Sequence, residues 1–296
     1  MLKDYLPKGM ADVVLDTDAY NEIDDLFAIV YLLKSQEKLK TKAIYAAPFL
    51  NERSDSPEDG MKKSYQEIKK VLKMINREDV PVFYGASDYL PSEQEGVCSQ
   101  AVLDLVTRAM NYTPENPLFV VAIGAITNIA SALLLKPEIK EKIVVVWLGG
   151  HALDHVHNKE FNLYQDIAAA RVVFGCGVRL CQLPCLGVVD SFRMSRPEFR
   201  EWLKGNEISK YLADVSVALM NHRGFDAYAS KVIWDVTAVA WLLNEENNFM
   251  EAELISSPIP EYNHQWTITK SRHKICYVTK INTNNLMKDM IKKIVH

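Results

Sequence analysis

An acidic loop between an apolar strand and an apolar helix dominates the N-terminal part of this chain. The strand is predicted over Ala11–Leu15, and the helix begins at Asp24-Asp25. Five carboxylates fall within ten residues of the loop: Asp16, Asp18, Glu22, Asp24 and Asp25. Carboxylates this close repel one another, so they are either partly protonated or held by a cation. Capping of the helix needs one or two acids and not five. We therefore expect an all-oxygen metal site, which favours Ca²⁺ or Mg²⁺ over zinc.

Apolar segments of strand length alternate with helical segments through the first half of the chain. Further strands are predicted at Leu39–Ala47, Val80–Tyr84, Leu118–Ile123 and Ile143–Leu148, and further helices at Met61–Asn76, at Ser99–Met110 and from Thr127 to near Leu135. This alternation predicts an α/β fold with a mainly parallel central sheet flanked by helices. The chain beyond Ile167 is richer in helix, with a β-hairpin region between Phe249 and Thr279. No domain boundary is evident, so we expect a single domain over residues 1–296.

Composition narrows the classes of function. Hydrophobic residues make up 48% of the chain, which allows a substantial core. The net charge is −4 with scattered Lys and Arg, so no basic face for nucleic acid is expected. No apolar run approaches the ~18 residues of a membrane span, and the first residues lack a signal-peptide pattern, so we expect a cytoplasmic protein. The five cysteines lack a CxxC pair, and Cys181 and Cys185 are predicted to be buried thiols.

Three later segments complete an ordered set of motifs with the acidic loop. They are Gly124-Ala125-Ile126-Thr127-Asn128 after an apolar strand, Gly149-Gly150 with Glu160-Phe161-Asn162 downstream, and Trp234-Asp235 before an apolar helix. With Asp16-Thr17-Asp18 and Asp24-Asp25, this set resembles the motifs of the nucleoside hydrolase family, of the inosine–uridine-preferring type. A lone Asp-x-Asp is shared with phosphatases and glycosyltransferases, so the order of four motifs carries the resemblance. It implies a Rossmann-like core, hydrolysis of the N-glycosidic bond of a ribonucleoside, and a homodimer or homotetramer.

The resemblance also implies a Ca²⁺ site. The ion would be held by Asp18, Asp25, the backbone carbonyl of Ile123 and Asp235, with water and the ribose hydroxyls completing its shell. Asp18 would be the general base for the attacking water. Asp24, Glu160 and Asn162 would hold the ribose, while Asp16 and Asn128 would support the loop from behind. Taken singly, Asn128 and Asp235 are also typical of helix caps, and Glu160 to Asn162 of an ordinary loop.

The chain departs from the family pattern at three places. Five residues separate Asp18 from Asp24, where three are usual. Trp234 stands where many members have a histidine. A purine-preferring branch has Trp there and stacks it on the base, which implies a purine preference, although a core or lid tryptophan is the alternative. Pro48-Phe49 replaces a Gly-Asn that reaches the sugar, so Phe49 is expected to line an apolar base pocket.

Two questions stay open at the level of sequence. His151, His155 and His157 have a spacing compatible with zinc, but a solvated loop is the commoner outcome for such histidines. The chain is also compatible with a non-catalytic ribose- or nucleoside-binding protein that retains the calcium pocket, because Phe49 and Trp234 depart from the pattern. A phosphohydrolase with Asp16 as nucleophile is disfavoured, because Tyr20 stands where Thr or Val is expected.

Overall fold

The alternating apolar segments form an eight-stranded sheet in the computed structural model, which describes residues 1–296. The strands of the chain are β1 (Ala11–Thr17), β2 (Leu39–Ala46), β3 (Val82–Tyr84), β4 (Leu118–Ala122), β5 (Ile143–Leu148), β6 (Arg179–Leu183), β7 (Arg193–Ser195), β8 (Ser230–Val232), β9 (Met250–Ser256), β10 (Ile259–Pro260), β11 (Trp266–Thr267) and β12 (Lys274–Ile281). The helices are α1 (Asp24–Leu33), α2 (Pro57–Met74), α3 (Gln100–Ala109), α4 (Thr127–Leu135), α5 (Phe161–Gln165), α6 (Ile167–Gly175), α7 (Arg196–Trp202), α8 (Glu207–His222), α9 (Val236–Trp241) and α10 (Thr283–Val295).

The sheet confirms the predicted α/β class. Its strand order is β3-β2-β1-β4-β5-β6-β12-β9, and only β9, at one edge, is antiparallel to its neighbour. The first six strands have the order of a Rossmann-type sheet, in which the chain reverses direction of winding between β1 and β4. Ligands of such sheets bind beyond the carboxyl ends of these two strands. The pairing of β9 with β12 accounts for the predicted hairpin region, with the short β10–β11 hairpin between them.

Helices cover both faces of the sheet. Along β1, Val13 and Leu15 face one apolar cluster and Val14 faces the other, as the alternation of side chains in a strand requires. The first cluster includes residues of α1, α9 and α10, and the second includes residues of α3, α4 and α6. Because both faces are buried, the central strands β4 and β5 are apolar along their whole length. None of the helices combines the length and hydropathy that a membrane crossing needs.

Among the element boundaries that differ from the sequence prediction, two have local reasons. Helix α2 begins at Pro57 and not at Met61, because the Ser56 hydroxyl caps the Asp59 amide at 3.1 Å and proline suits the first helical position. Strand β1 continues past Leu15 to Thr17, since Asp16 still pairs in register with Tyr45 of β2. Asp16 is therefore a buried strand residue, and the loop proper begins with Asp18.

Candidate active site

A cavity of about 450 Å³ opens at the carboxyl ends of β1, β4 and β5. This volume suits a small-molecule ligand. Eight of the residues singled out from the sequence line it: Asp18, Asp24, Asp25, Ile123, Glu160, Asn162, Trp234 and Asp235. The sheet topology thus brings together residues that are more than two hundred positions apart in the chain.

Asp18 is a buried carboxylate without a partner. It follows β1 directly, is 1% exposed, and neither of its carboxylate oxygens accepts a hydrogen bond. Burial and the neighbouring charge of Asp25 raise the pKa of Asp18. The space for its side chain depends on Gly124 after β4, where a Cβ atom would lie 2.9 Å from Asp18 Oδ1. A buried ionised group with no hydrogen bond is costly, so Asp18 requires a cation, a water or a proton in the cavity.

Asp25 and Asp235 complete a group of three acids with Asp18. Asp25 lies in the first turn of α1, and its Oδ1 accepts a 2.5 Å hydrogen bond from the Thr17 hydroxyl. Asp235 precedes α9, but its side chain makes no capping hydrogen bond, so the capping alternative does not describe it. Burial and the charge of Asp24 raise the pKa of both groups, that of Asp25 to about 8. No basic side chain of the protein pairs with any of the three.

Lys231 is the residue that sequence reasoning missed. Its ammonium is buried and lies 2.7 Å from Glu22 Oε2 and 3.2 Å from Asp24 Oδ1, and it donates to the Val232 carbonyl at 2.8 Å. The other oxygen of Asp24 accepts from the Trp234 amide at 2.9 Å. Both oxygens of Asp24 therefore have protein partners, and a role in holding ribose would use only the lone pairs that remain. The contribution of Asp24 to sugar binding stays a prediction.

Glu160 and Asn162 tie the loops around the cavity together. Glu160 caps α5, and its carboxylate accepts from the amides of Gly150, Asn162 and Leu163 at 2.8–3.0 Å. The Asn162 amide group donates to the carbonyls of Ile123 at 3.1 Å and Leu148 at 3.0 Å. These bonds join the ends of β4 and β5 to α5. The structure thus shows Glu160 and Asn162 linking the loops around the cavity, and their contacts with the sugar remain a prediction.

Asp16 and Asn128 lie behind the cavity. Asn128 Nδ2 donates to Asp16 Oδ2 at 2.7 Å, and Asn128 Oδ1 accepts from the Ala86 amide at 2.8 Å. Both residues are fully buried, and neither lines the cavity. Burial raises the pKa of Asp16 to about 7, which the bond from Asn128 opposes. The pair links β1, α4 and the loop after β3, so it holds the strand end that carries Asp18.

The expectation that Phe49 lines a base pocket is wrong. Its side chain is fully buried and packs against Gly60 of α2, where a Cβ atom would lie 2.8 Å from Phe49 Cδ1. An aromatic ring directly after β2 is drawn into the core because α2 leaves room for it at the glycine. Aromatic surface in the cavity comes from other residues, namely Phe161, Tyr164 and Trp234.

The parallel sheet, the cavity at its reversal point and the unpaired carboxylates define an acid-rich α/β enzyme with a small-molecule site. Residues 13–287 match the model of the inosine-uridine preferring nucleoside hydrolase family, and the chain belongs to this family. The resemblance inferred from the motifs is thereby confirmed. The family assignment makes the chain a hydrolase that acts on ribonucleosides.

Known relatives span both base classes. The pyrimidine-specific ribonucleoside hydrolase RihA of Salmonella arizonae is 26% identical over 261 residues, which are 79% of this chain and 80% of that protein. The solved structure of the purine-preferring ribonucleoside hydrolase from Gardnerella vaginalis has a TM-score of 0.78 at 19% identity, covering 96% of this chain and 98% of that one. A plant nucleoside hydrolase has a TM-score of 0.77 at 18% identity, covering 98% and 99%. These two structures show that the fold is shared.

Proposed function

We propose that this chain hydrolyses the N-glycosidic bond of ribonucleosides in a Ca²⁺-dependent reaction, with a preference for purine bases. The observation that carries the proposal is the buried carboxylate of Asp18, both of whose oxygens lack a partner. Together with Asp25, Asp235 and the carbonyl of Ile123 it forms an all-oxygen donor set, which fits Ca²⁺. When bound, the ion supplies positive charge that holds vicinal hydroxyls and lowers the pKa of a neighbouring water.

Asp18 is the proposed general base. Its free oxygens face the cavity, so they can accept a proton from a water that attacks the anomeric carbon of the ribose. The C–N bond breaks as the base leaves with the bond's electron pair and takes up a proton from solvent, and positive charge develops on the sugar. Asp18, Asp25 and Asp235 line the cavity, and their negative charge would stabilise the developing positive charge. Asp16 is a poor nucleophile for a phosphohydrolase here, because it is fully buried outside the cavity.

Trp234 is the residue on which the proposed purine preference rests. The residue is half-buried and lines the cavity, and its backbone amide donates a hydrogen bond to Asp24 Oδ2. An indole face offers more stacking area to the two rings of a purine than to a pyrimidine.

Two observations favour a second candidate, a non-catalytic nucleoside-binding protein. The residue directly before Asp235 is Trp234 and not a histidine, and the oxygens of Asp24 and Glu160 are already engaged within the protein. Such a chain would hold the nucleoside in the same cavity without activating the leaving base.

The deciding experiment is ribose release from a panel of purine and pyrimidine ribonucleosides and their 2′-deoxy analogues, with Ca²⁺ and after chelation. We expect cleavage of ribosides only, lost on chelation and restored by Ca²⁺, with purines preferred. Asp18→Asn should lower turnover by about 10²–10⁴-fold, the usual worth of a general base. Asp12→Asn, at the opposite end of β1, is the matched control and should retain turnover.

Three results would contradict parts of the proposal. Release that survives chelation argues against the calcium requirement, and near wild-type turnover of Asp18→Asn argues against the general base. Tight nucleoside binding in calorimetry with no release across the panel identifies the binding protein instead.

A further inference from the structure

The loop after Gly149-Gly150 is closed at its base by buried contacts. Asn158 is buried, and its Oδ1 accepts from the His151 amide at 2.8 Å, which joins the two ends of segment 151–158. The His151 carbonyl accepts from Trp266 Nε1 at 3.2 Å, and the Asn158 amide donates to the His264 carbonyl at 2.7 Å. The intervening residues therefore fold back on themselves above the β10–β11 hairpin region. This closure brings the histidines of the segment together.

The three imidazoles of His151, His155 and His157 form a compact group. Their ring centroids are 4.7 Å, 5.6 Å and 5.0 Å apart, and one ring nitrogen from each lies within 4.8 Å of the other two. They are the one group of three His, Cys, Asp or Glu side chains in the structure that meets this spacing. His151 is buried and lines the cavity, while His155 is half-buried and His157 is exposed.

No carboxylate of the protein competes with a metal ion for the three rings. None of the three rings forms an ion pair with a carboxylate. Burial and the two neighbouring imidazoles lower the pKa of His151 to about 4, so it is neutral at neutral pH. Neutral imidazole is the form that ligates metals, whereas three protonated rings at this spacing would repel one another.

Each ring makes a hydrogen bond through its Nδ1 atom, and the direction of that bond decides which ring nitrogen carries the proton. His155 Nδ1 lies 2.8 Å from the His157 carbonyl, so it is an N–H donor and its Nε2 carries a lone pair, as in metal-bound histidines. His151 Nδ1 and His157 Nδ1 accept longer bonds, 3.3 Å from the Leu186 amide and 3.2 Å from the Lys159 amide. In these two neutral rings the proton is therefore on Nε2. Binding of a metal through Nε2 shifts the proton to Nδ1, so the long hydrogen bond from the backbone amide is lost and a metal–nitrogen bond replaces it.

We propose that His151, His155 and His157 bind a transition-metal cation of the Zn²⁺, Co²⁺ or Ni²⁺ class at the mouth of the cavity, apart from the carboxylates. Imidazole suits these ions, whereas Ca²⁺ prefers oxygen. Three protein ligands leave a fourth position of the ion open. A tetrahedral zinc with Zn–N bonds of about 2.0–2.1 Å spaces its nitrogens roughly 3.3 Å apart. The ring nitrogens lie within 4.8 Å of one another, so they need to approach by no more than about 1.5 Å on binding. The bound ion fixes the segment that borders the cavity.

The test is titration of the metal-free, untagged chain with Co²⁺ and with Zn²⁺, in excess Ca²⁺ so that the carboxylates are saturated. We expect one ion per chain, seen as a visible Co²⁺ absorption band and as heat in calorimetry. Cys98→Ser is introduced into every form, because this exposed thiol also binds soft metals. The double variant His155→Gln/His157→Gln should weaken binding by more than the roughly 10–100-fold that loss of an outer hydrogen bond costs a metal site.

His222→Gln is the matched control, since His222 is an exposed, isolated histidine at the end of α8, and it should bind as the parent does. No saturable binding, or equal binding by the double variant, overturns the proposal. Circular dichroism checks the fold of the double variant. If it unfolds, His157→Gln alone, at an exposed position, carries the same test.

Discussion

Replacement of Lys231 by methionine tests the electrostatic account of the site most directly. The side chain is 5% exposed, and its ammonium satisfies Glu22, Asp24 and the Val232 carbonyl. Methionine keeps much of the volume and removes the charge. The variant leaves the buried carboxylate of Asp24 without its cation, while the half-buried Glu22 keeps its contact with Arg223.

The expected loss of stability is large. Breaking a buried ion pair by removing one partner costs about 3–5 kcal/mol, because the other charge is left uncompensated. At roughly 2 °C per kcal/mol for a domain of this size, the melting temperature should fall by about 6–10 °C. Ca²⁺ should restore part of this loss, since the ion supplies positive charge beside Asp24. The difference between the melting temperatures with Ca²⁺ and with chelator should therefore be larger in the variant than in the parent.

Thermal unfolding followed by circular dichroism measures both effects. Lys38→Met is the matched control, because Lys38 pairs with Glu245 at the surface, where an ion pair contributes about 0–1 kcal/mol. A Lys231→Met variant that melts like the Lys38→Met variant would refute the claim that Lys231 compensates buried charge. If the melting temperature falls as expected but the difference between Ca²⁺ and chelator is the same as in the parent, Lys231 does not influence the cation site.

Substitutions at three further positions probe other parts of the site. Trp234→Phe should retain purine cleavage far better than Trp234→Ala, as measured by kcat/KM for inosine, and equal losses would exclude stacking. Asn128→Ala leaves the Asp16 carboxylate and the Ala86 amide without their buried hydrogen-bond partner, so the free energy of unfolding should fall by about 2–4 kcal/mol in urea titration. An unchanged urea midpoint of unfolding would contradict this. Gly124→Ala places a Cβ atom 2.9 Å from Asp18 Oδ1, so the rate of ribose release should fall while the melting temperature changes little. Full activity would show that the Asp18 side chain can move aside.

The fold class was predictable because strands that are buried on both faces of a sheet have near-continuous apolar sequences. The predicted bounds of β5, Ile143–Leu148, agree with the structure at both ends, since all six residues are buried in the sheet and apolar. The start of α2 was missed by four residues because its first turn is polar and is set by the Ser56 cap. The order of the strands is a property of packing between distant segments, so only the class of the sheet followed from the sequence.

The site divides into residues with a local signal and residues without one. The density of acids in one loop identified Asp18 and Asp25, and ordered motifs identified Asp235. Lys231 has no such signal, because its partner Asp24 is 207 positions away and β7–β8 pairing places it there. Phe49 shows the converse case, since an aromatic residue after a strand is equally typical of a core and of a pocket.

The acidic loop poses the question of how five carboxylates tolerate one another, and the structure answers it residue by residue. Lys231 compensates Glu22 and Asp24, and Asn128 donates to Asp16. The two acids of the loop that remain, Asp18 and Asp25, are joined by Asp235 from the distant α9 and receive no basic partner. A chain that needed only stability would not bring a third buried acid to two uncompensated ones, because each adds to the repulsion. Asp18, Asp25 and Asp235 thus bring uncompensated negative charge to the cavity, where a divalent cation or a sugar with developing positive charge would relieve it.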